Sequence, residues 1–301
     1  MKKPDIDDAD IAKFLSDIFT DIRRTTPVFE GMESKALAFR DGHDDYVLRI
    51  NRGNEGFLKD AYAHTHFASE HLPIPEVIRI GEFDKGFAYC ISRRAPGRTL
   101  QDFPEEELSR LVQPVAATMR QIANADISNM RGYGPFGSDG VGRYESWRAF
   151  LVGIADPSHR DWSKFDGAID RQRLSTYLRL LLRWAEHCPE TRSLVHADFG
   201  SNNVLAAKGE ITAVIDWSEA MIGDPLYDVA NIFFWRSWLP CMEHQANYLQ
   251  QQSRALASST ALRCYQLHIG LHHLHECLVA GLTDDVAWTI ARCEQLVQEA
   301  D

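Results

Sequence analysis

The polar residues of the stretch LVHADFGSNNVL, residues 194–205, form the pattern H-x-D-x-x-x-x-N: His196, Asp198 and Asn203. A second acid, Asp216, lies in the run AVIDW at 213–217. An amide oxygen and a carboxylate are hard donors of the kind Mg2+ takes. That metal accepts few protein ligands and keeps substrate phosphates in its shell. Asp198, at the start of the loop, can face an incoming hydroxyl group. One acid serving as base beside an Asn/Asp metal pair is the equipment of phosphoryl transfer. An Asx-rich turn that merely satisfies backbone donors gives no reason for this spacing.

The elements that must position these residues are legible around them. SLVHADFGSNNVLAAKGEITAVIDW reads as strand, polar loop, short strand, KG turn and strand, a hairpin that brings Asp216 beside Asn203. Upstream, Ile11, Phe14, Leu15 and Ile18 recur at helical spacing. Two or three antiparallel strands follow, YVLRI at 46–50 among them, then a helix over EGFLKDAYAHTHFASEHL and two more strands through PIPEVIRIGEF and GFAYCISRR. After APGRTL the pattern turns helical. Asp102 and Glu105 have capping-box spacing ahead of a long apolar stripe that contains Pro114. Residues 131–142 are Gly-rich and read as irregular; helices follow over RLSTYLRLLLRWAEHC, PLYDVANIFFW and beyond about residue 242. The expectation is an α+β, bilobal chain: a small β-rich lobe over 1–95, a large mainly helical lobe over 96–301, and a cleft where they meet.

The 301 residues suffice for a substantial core, and 45% hydrophobic with 25% charged residues is ordinary for a globular protein. The formal net charge of −11 argues against nucleic acid as a partner and suits a cationic small molecule. Six scattered cysteines without a CxxC pair, no apolar leader in MKKPDIDDAD and no run of membrane-spanning length lead to the expectation of a cytoplasmic protein with reduced thiols. No heptad seam is present, so a monomer is expected.

H-x-D-x-x-x-x-N followed by IDW and GDPLYDVA resembles the aminoglycoside phosphotransferases, structural relatives of protein kinases. The similarity extends along nearly the whole chain, through LPIPEV, YCISRRA, ITAVIDWSEAM and VANIFFWR. The resemblance implies a protein-kinase-like fold and transfer of phosphoryl from ATP to an aminoglycoside hydroxyl. It implies that Asp198 is the base or orients the acceptor hydroxyl, and that Asn203 and Asp216 hold Mg2+. His196 would brace the loop, and Asp224 and Asp228 would order it through backbone hydrogen bonds. Arg49 in YVLRI stands where protein kinases carry a phosphate-binding Lys, and Asp60 is the best-placed acidic partner on the following helix. EGMESKALAF replaces the phosphate-covering loop; Ser34 and backbone N–H groups are its candidate contacts. In CISRRAPG the Arg93 carbonyl and Ala95 N–H are the candidates for adenine. For the cationic acceptor, an acidic site is expected from Asn202, Glu219 and Asp224, with Trp235 and Trp238 against sugar faces. The Gly-rich 131–142 segment and YESWRAF are candidate pocket walls.

His268, His272, His273 and His275 cluster near Cys264 and Cys277. Without an HExxH, and with Leu267, Leu271, Leu274 and Leu278 along the same helix, they read as helix packing rather than metal ligands.

Overall fold

The computed structural model describes residues 4–28 and 34–298. Helix α1 (Asp8–Ile18) is capped by the Asp7 carboxylate, which accepts the Ala9 N–H at 3.0 Å, and buries Ile11 and Leu15. An antiparallel sheet follows from β1 (Ile22–Pro27), β2 (Lys35–Asp41), β3 (Asp44–Asn51), β4 (Val77–Phe83) and β5 (Phe87–Arg93), in the order β1-β2-β3-β5-β4. Along β3, Tyr46, Leu48 and Ile50 are buried in the core shared with α1, and the two-residue period turns Arg49 to the other face. That face meets α2 (Glu55–Phe67).

The rest of the chain carries β6 (Arg98–Thr99), α3 (Glu105–Ala123), β7 (Tyr133–Phe136), β8 (Gly142–Tyr144), α4 (Trp147–Val152), α5 (Arg171–Ala185), β9 (Ser193–Val195), β10 (Val204–Ala207), β11 (Glu210–Val214), β12 (Met221–Gly223), α6 (Leu226–Trp235), α7 (Pro240–Gln252), α8 (Thr260–Ala280) and α9 (Thr283–Gln298). Two small sheets sit among these helices, β11-β10-β6 and β8-β7-β12-β9. The connector after β5 passes so close to β10 that a Cβ on Gly97, at φ +104°, would collide with the Ala206 carbonyl.

Two expectations change. The Gly-rich 131–142 segment is not irregular throughout: β7 and β8 pair there, Tyr133 opposite Tyr144. Asp102 is no helix cap; its carboxylate accepts the Thr99 hydroxyl at 2.6 Å, and Pro104 holds the N-cap position of α3. Pro104 fixes the helix entry through its ring rather than through a side-chain hydrogen bond.

The expected division at 95/96 falls two residues beyond β5, and one helix contributes to the cores on both sides of it. Phe57 of α2 packs with Ala88 and Cys90 of the small sheet. Ala63 and Phe67 of the same helix, with Leu72 and Ile74, belong to the core of the large lobe. Helix α2 therefore straddles both units. All six cysteines are free thiols, and no described helix is long and apolar enough to cross a membrane.

Candidate active site

The β10–β11 hairpin sets the centre of the site. Val204 pairs with Val214, and the Ile215 N–H donates to the Asn203 carbonyl at 2.9 Å, so Asn203 and Asp216 emerge side by side. Asn203 Nδ2 donates to both the Asp198 carbonyl, at 2.9 Å, and the Asp198 Oδ2, at 2.7 Å. Asp198, Asn203 and Asp216 thus converge through the hairpin register and one amide. Asp216 adopts a left-handed backbone, φ 59°, which aspartate tolerates better than most residues. Its Oδ1 accepts the Ser218 hydroxyl at 2.8 Å.

The loop before Asp198 is held by His196 and Asp228. Ala197 is also left-handed, φ 70°, a conformation costing about 1–2 kcal/mol for a residue with a Cβ. The buried Asp228 carboxylate accepts the His196 N–H at 3.0 Å and the Ala197 N–H at 2.7 Å, which fixes the turn from below. His196 is fully buried; its Nδ1 accepts the Asp198 N–H at 3.3 Å and its Nε2 faces the Ile215 carbonyl at 3.0 Å. Those partners select the neutral tautomer with the proton on Nε2, and burial lowers the imidazole to about 4. Further along, Asn231 Nδ2 donates to the Phe199 carbonyl at 3.1 Å and Gln245 Nε2 to the Gly200 carbonyl at 2.9 Å. Burial, joined by the negative charges of Asp216 and Glu219, pushes the Asp198 carboxyl up to about 7 against the Asn203 hydrogen bond.

Two cavities meet here. The first, of about 350 Å³, lies under β3 and β5 and is lined by Arg49, Asp60, Arg93, Ala95, Asn202 and Asp216 among others. The Arg49 guanidinium pairs with the Asp60 carboxylate. Burial works against the Arg49 charge, but Asp60, Cys90 and Asp216 outweigh it and its pKa is raised. Burial raises the Asp60 carboxyl, opposed by Arg49 and by the Trp217 N–H, which donates to Asp60 Oδ1 at 2.8 Å. Arg93 lines the cavity, and its side chain pairs with Asp44 at 2.8 Å and Glu76 at 3.7 Å. The Ala95 N–H makes no backbone hydrogen bond among the described residues. Ser34 stands half-buried just ahead of β2; residues 29–33 of the expected phosphate-covering loop, Gly31 included, lie outside the described residues.

The second cavity, of about 690 Å³, opens on the other side of the loop and is lined by Asp198, Asn202, Glu219, Tyr227, Trp235 and Arg160 among others. Asn202 borders both spaces. Pro135, Tyr144 and Phe150 supply the wall expected from 131–142 and YESWRAF.

Two residues expected against the acceptor are not brought to it. Asp224 is buried with its Oδ2 accepting the Tyr265 hydroxyl at 2.8 Å and its Oδ1 the Leu226 N–H at 3.0 Å, which starts α6. Trp238 packs edge-on against Trp288, centroids 4.3 Å apart, outside the cavity. The cavity is also less acidic than expected: Arg160, His159, His268, His272 and His273 line it with Glu276. The histidines of α8 are therefore pocket walls as well as helix packing, with His268 held by the Tyr227 hydroxyl at 2.9 Å. Their presence on one helix was the visible signal. Arg160 carried none, since it stands alone in a loop.

Lys59, next to Asp60, is a further residue the sequence pattern did not single out. Its buried ammonium donates to the Ser218 and Ala220 carbonyls at 2.5 and 2.7 Å, and burial lowers it to about 8. Adjacent side chains of α2 thus grip the segment after Asp216 by its N–H and its carbonyls.

The β-rich lobe over a helical lobe, with a paired Arg–Asp beside one cavity and an Asp–Asn loop shared with a second, defines a kinase-like phosphotransferase. The chain belongs to the phosphotransferase enzyme family abbreviated APH, which residues 24–268 match. It is 51% identical over 298 residues to hygromycin-B 4-O-kinase of Escherichia coli, covering 99% of this chain and 87% of that protein. The crystal structure of aminoglycoside phosphotransferase APH(4)-Ia superposes with a TM-score of 0.94 at 51% identity, covering 97% and 99% of the two chains. A thermostable mutant of that phosphotransferase, in ternary complex with AMP-PNP and hygromycin B, gives 0.92 at 52% identity over 95% and 97%.

Proposed function

We propose that the protein transfers the γ-phosphoryl group of ATP to a hydroxyl of hygromycin B, at the 4-position named for its E. coli relative, and so confers resistance to the drug. The observation that carries this is the meeting of the two cavities at Asn202, with Asp198 facing one and Asp216 the other. A nucleotide in the first and an alcohol in the second would present phosphate and hydroxyl across a single loop.

The residues then divide the work. The Arg93 carbonyl and Ala95 N–H hold the adenine edge. Arg49, fixed by Asp60, faces the phosphates with a permanent positive charge; Ser34 adds a hydroxyl at the phosphate end. Asn203 and Asp216 fit Mg2+: both Nδ2 protons of Asn203 serve Asp198, which leaves its Oδ1 as a carbonyl donor beside the Asp216 carboxylate. Mg2+ bound there supplies neutralisation of phosphate charge. Asp198 takes a hydrogen bond from the acceptor hydroxyl, orients it for in-line attack and receives its proton as the new P–O bond forms and the bond to ADP breaks. Asn202 and Glu219 engage the acceptor's polar groups, and Trp235 offers an apolar ring to a sugar face. An ATP-dependent enzyme of this kind works on the cytoplasmic nucleotide pool, and it does so as a monomer with both cavities in one chain.

The test is direct. Purified protein with ATP and Mg2+ should release ADP only when hygromycin B is present, and the drug should gain the mass of one phosphoryl group. ADP release indifferent to the drug, with no phosphorylated product, would overturn the reading.

A further inference from the structure

The acceptor cavity contains a charge of the wrong sign for a polycationic ligand. Arg160 is the one guanidinium or ammonium among the described residues that line it. It forms no ion pair within 4 Å with a described carboxylate; burial lowers its pKa, opposed from greater distance by Glu276, Tyr227 and Glu219. Most other cavity-facing arginines of the molecule are already engaged: Arg49 with Asp60, Arg93 with Asp44, Arg98 with Glu107. Glu276, which might have neutralised Arg160, is held instead by His272 at 3.3 Å.

The loop that carries Arg160 is tied down. The Arg160 N–H donates to the Asp156 carbonyl at 2.8 Å, and the Arg160 carbonyl accepts the Trp162 N–H at 3.1 Å. The Trp162 indole N–H donates to the Ile154 carbonyl at 2.9 Å, and its ring stands edge-on to His275 of α8 at 5.3 Å. Around Arg160, burial keeps His268 and His273 below their ordinary range, so neither adds a second positive charge near neutral pH.

A half-buried guanidinium whose five donors meet no partner among the described residues, on a pinned loop, in the wall of a binding cavity, has two physical consequences. It hydrogen-bonds well to hydroxyl and ether oxygens, and it repels an ammonium placed beside it. We propose that Arg160 is a specificity-determining residue: it reads an oxygen-rich face of the acceptor and rejects aminoglycosides that would place an amino group there. Resting on the acceptor site proposed above, this narrows the substrate class to aminoglycosides poor in amino groups where they meet Arg160.

The experiment compares wild type, Arg160→Gln and Arg160→Lys on two acceptors, hygromycin B and a deoxystreptamine aminoglycoside carrying four amino groups. In Arg160→Gln, kcat/KM for hygromycin B should fall about tenfold, through KM rather than kcat. The tetra-amine, poor with wild type, should improve by about threefold or more. Arg160→Lys keeps the charge and should still reject the tetra-amine while losing part of the affinity for hygromycin B. A parallel change on both acceptors, no change on either, or a lysine variant that accepts the tetra-amine as the glutamine variant does would overturn the proposal. Should Arg160→Gln fail to fold, the lysine variant carries the test alone, with unchanged rejection of the tetra-amine and raised KM for hygromycin B as the supporting result. Wild type inactive on hygromycin B but active on another aminoglycoside would sink the hygromycin assignment alone; the ratio of variants across acceptors would still decide the role of Arg160.

Discussion

The two cavities that share Asn202 solve different problems. Beside β3 and β5, most of the charged walls are satisfied within the protein, Arg49 by Asp60 and Arg93 by Asp44 and Glu76. Beside α6 and α8, Arg160 has no such partner and the histidines stand in the wall. On the function proposed above, the first cavity is the frame for a nucleotide read through backbone. The second holds many of its polar side chains through internal hydrogen bonds, His268 to Tyr227 and Glu276 to His272, but presents Arg160 without an ion-pair partner among the described residues. Pre-paired charges cost little to hold in place and discriminate weakly, whereas unpaired ones discriminate because the wrong ligand leaves them unsatisfied.

The sharpest division is expected at the shared loop. Asp198→Ala should lower kcat by about a thousandfold, at the upper part of the range for a lost acid–base group, while binding of a fluorescent ATP analogue stays at the wild-type level. Turnover near wild type would remove Asp198 from the chemistry. Next, Asp216→Asn should raise the Mg2+ concentration needed for half-maximal turnover by about 10- to 100-fold, with hygromycin B binding by calorimetry unaffected; an equal loss at both cavities would erase the distinction between them.

Smaller effects concern what holds the loop. Asp228→Ala orphans the His196 and Ala197 N–H groups, at about 1–3 kcal/mol each, and differential scanning calorimetry should show a fall in Tm of several degrees. Burial pushes Asp228 up to about 7, above its unfolded value, so the folded chain holds that proton the more tightly. Its linked stabilisation is fully present below about pH 4 and is lost as pH rises through about 7. The Tm gap between wild type and Asp228→Ala should therefore narrow across that interval; a gap that widens would contradict the sign. Lys59→Met strips two carbonyls of their donor and should raise KM for both ATP and the drug by a few-fold, about 1 kcal/mol each. Least of all, Trp238→Ala should leave the KM for hygromycin B within about twofold, because the ring lies on Trp288 rather than in the cavity.

What was legible in the sequence follows the same division. Asp198, Asn203 and Asp216 lie within nineteen residues of one another on a hairpin whose register is written in its alternation, so local pattern brought them together. Arg49 and Asp60 were equally readable, because strand period and helix spacing decide which way each points. The acceptor wall was not. It is assembled from Gln101 to Glu276, and only tertiary packing decides that Trp235 faces inward while Trp238 turns to Trp288. Asp224 misled because a buried carboxylate capping α6 and a ligand-facing one look alike in a string of letters. The strands β7 and β8 were hidden by glycines, whose weak strand preference is overridden by pairing of β7 with β12 on one side and β8 on the other.

The double grip of α2 has a consequence for how the enzyme responds to its two substrates. Asp60 holds Trp217, which lines the first cavity, and Lys59 holds the carbonyls on either side of Glu219, which lines the second. One helix therefore clamps the four-residue bridge Trp217–Ala220, which has a foot in each cavity. Any coupling carried across that bridge is symmetric: a ligand in either cavity shifts affinity in the other by the same factor.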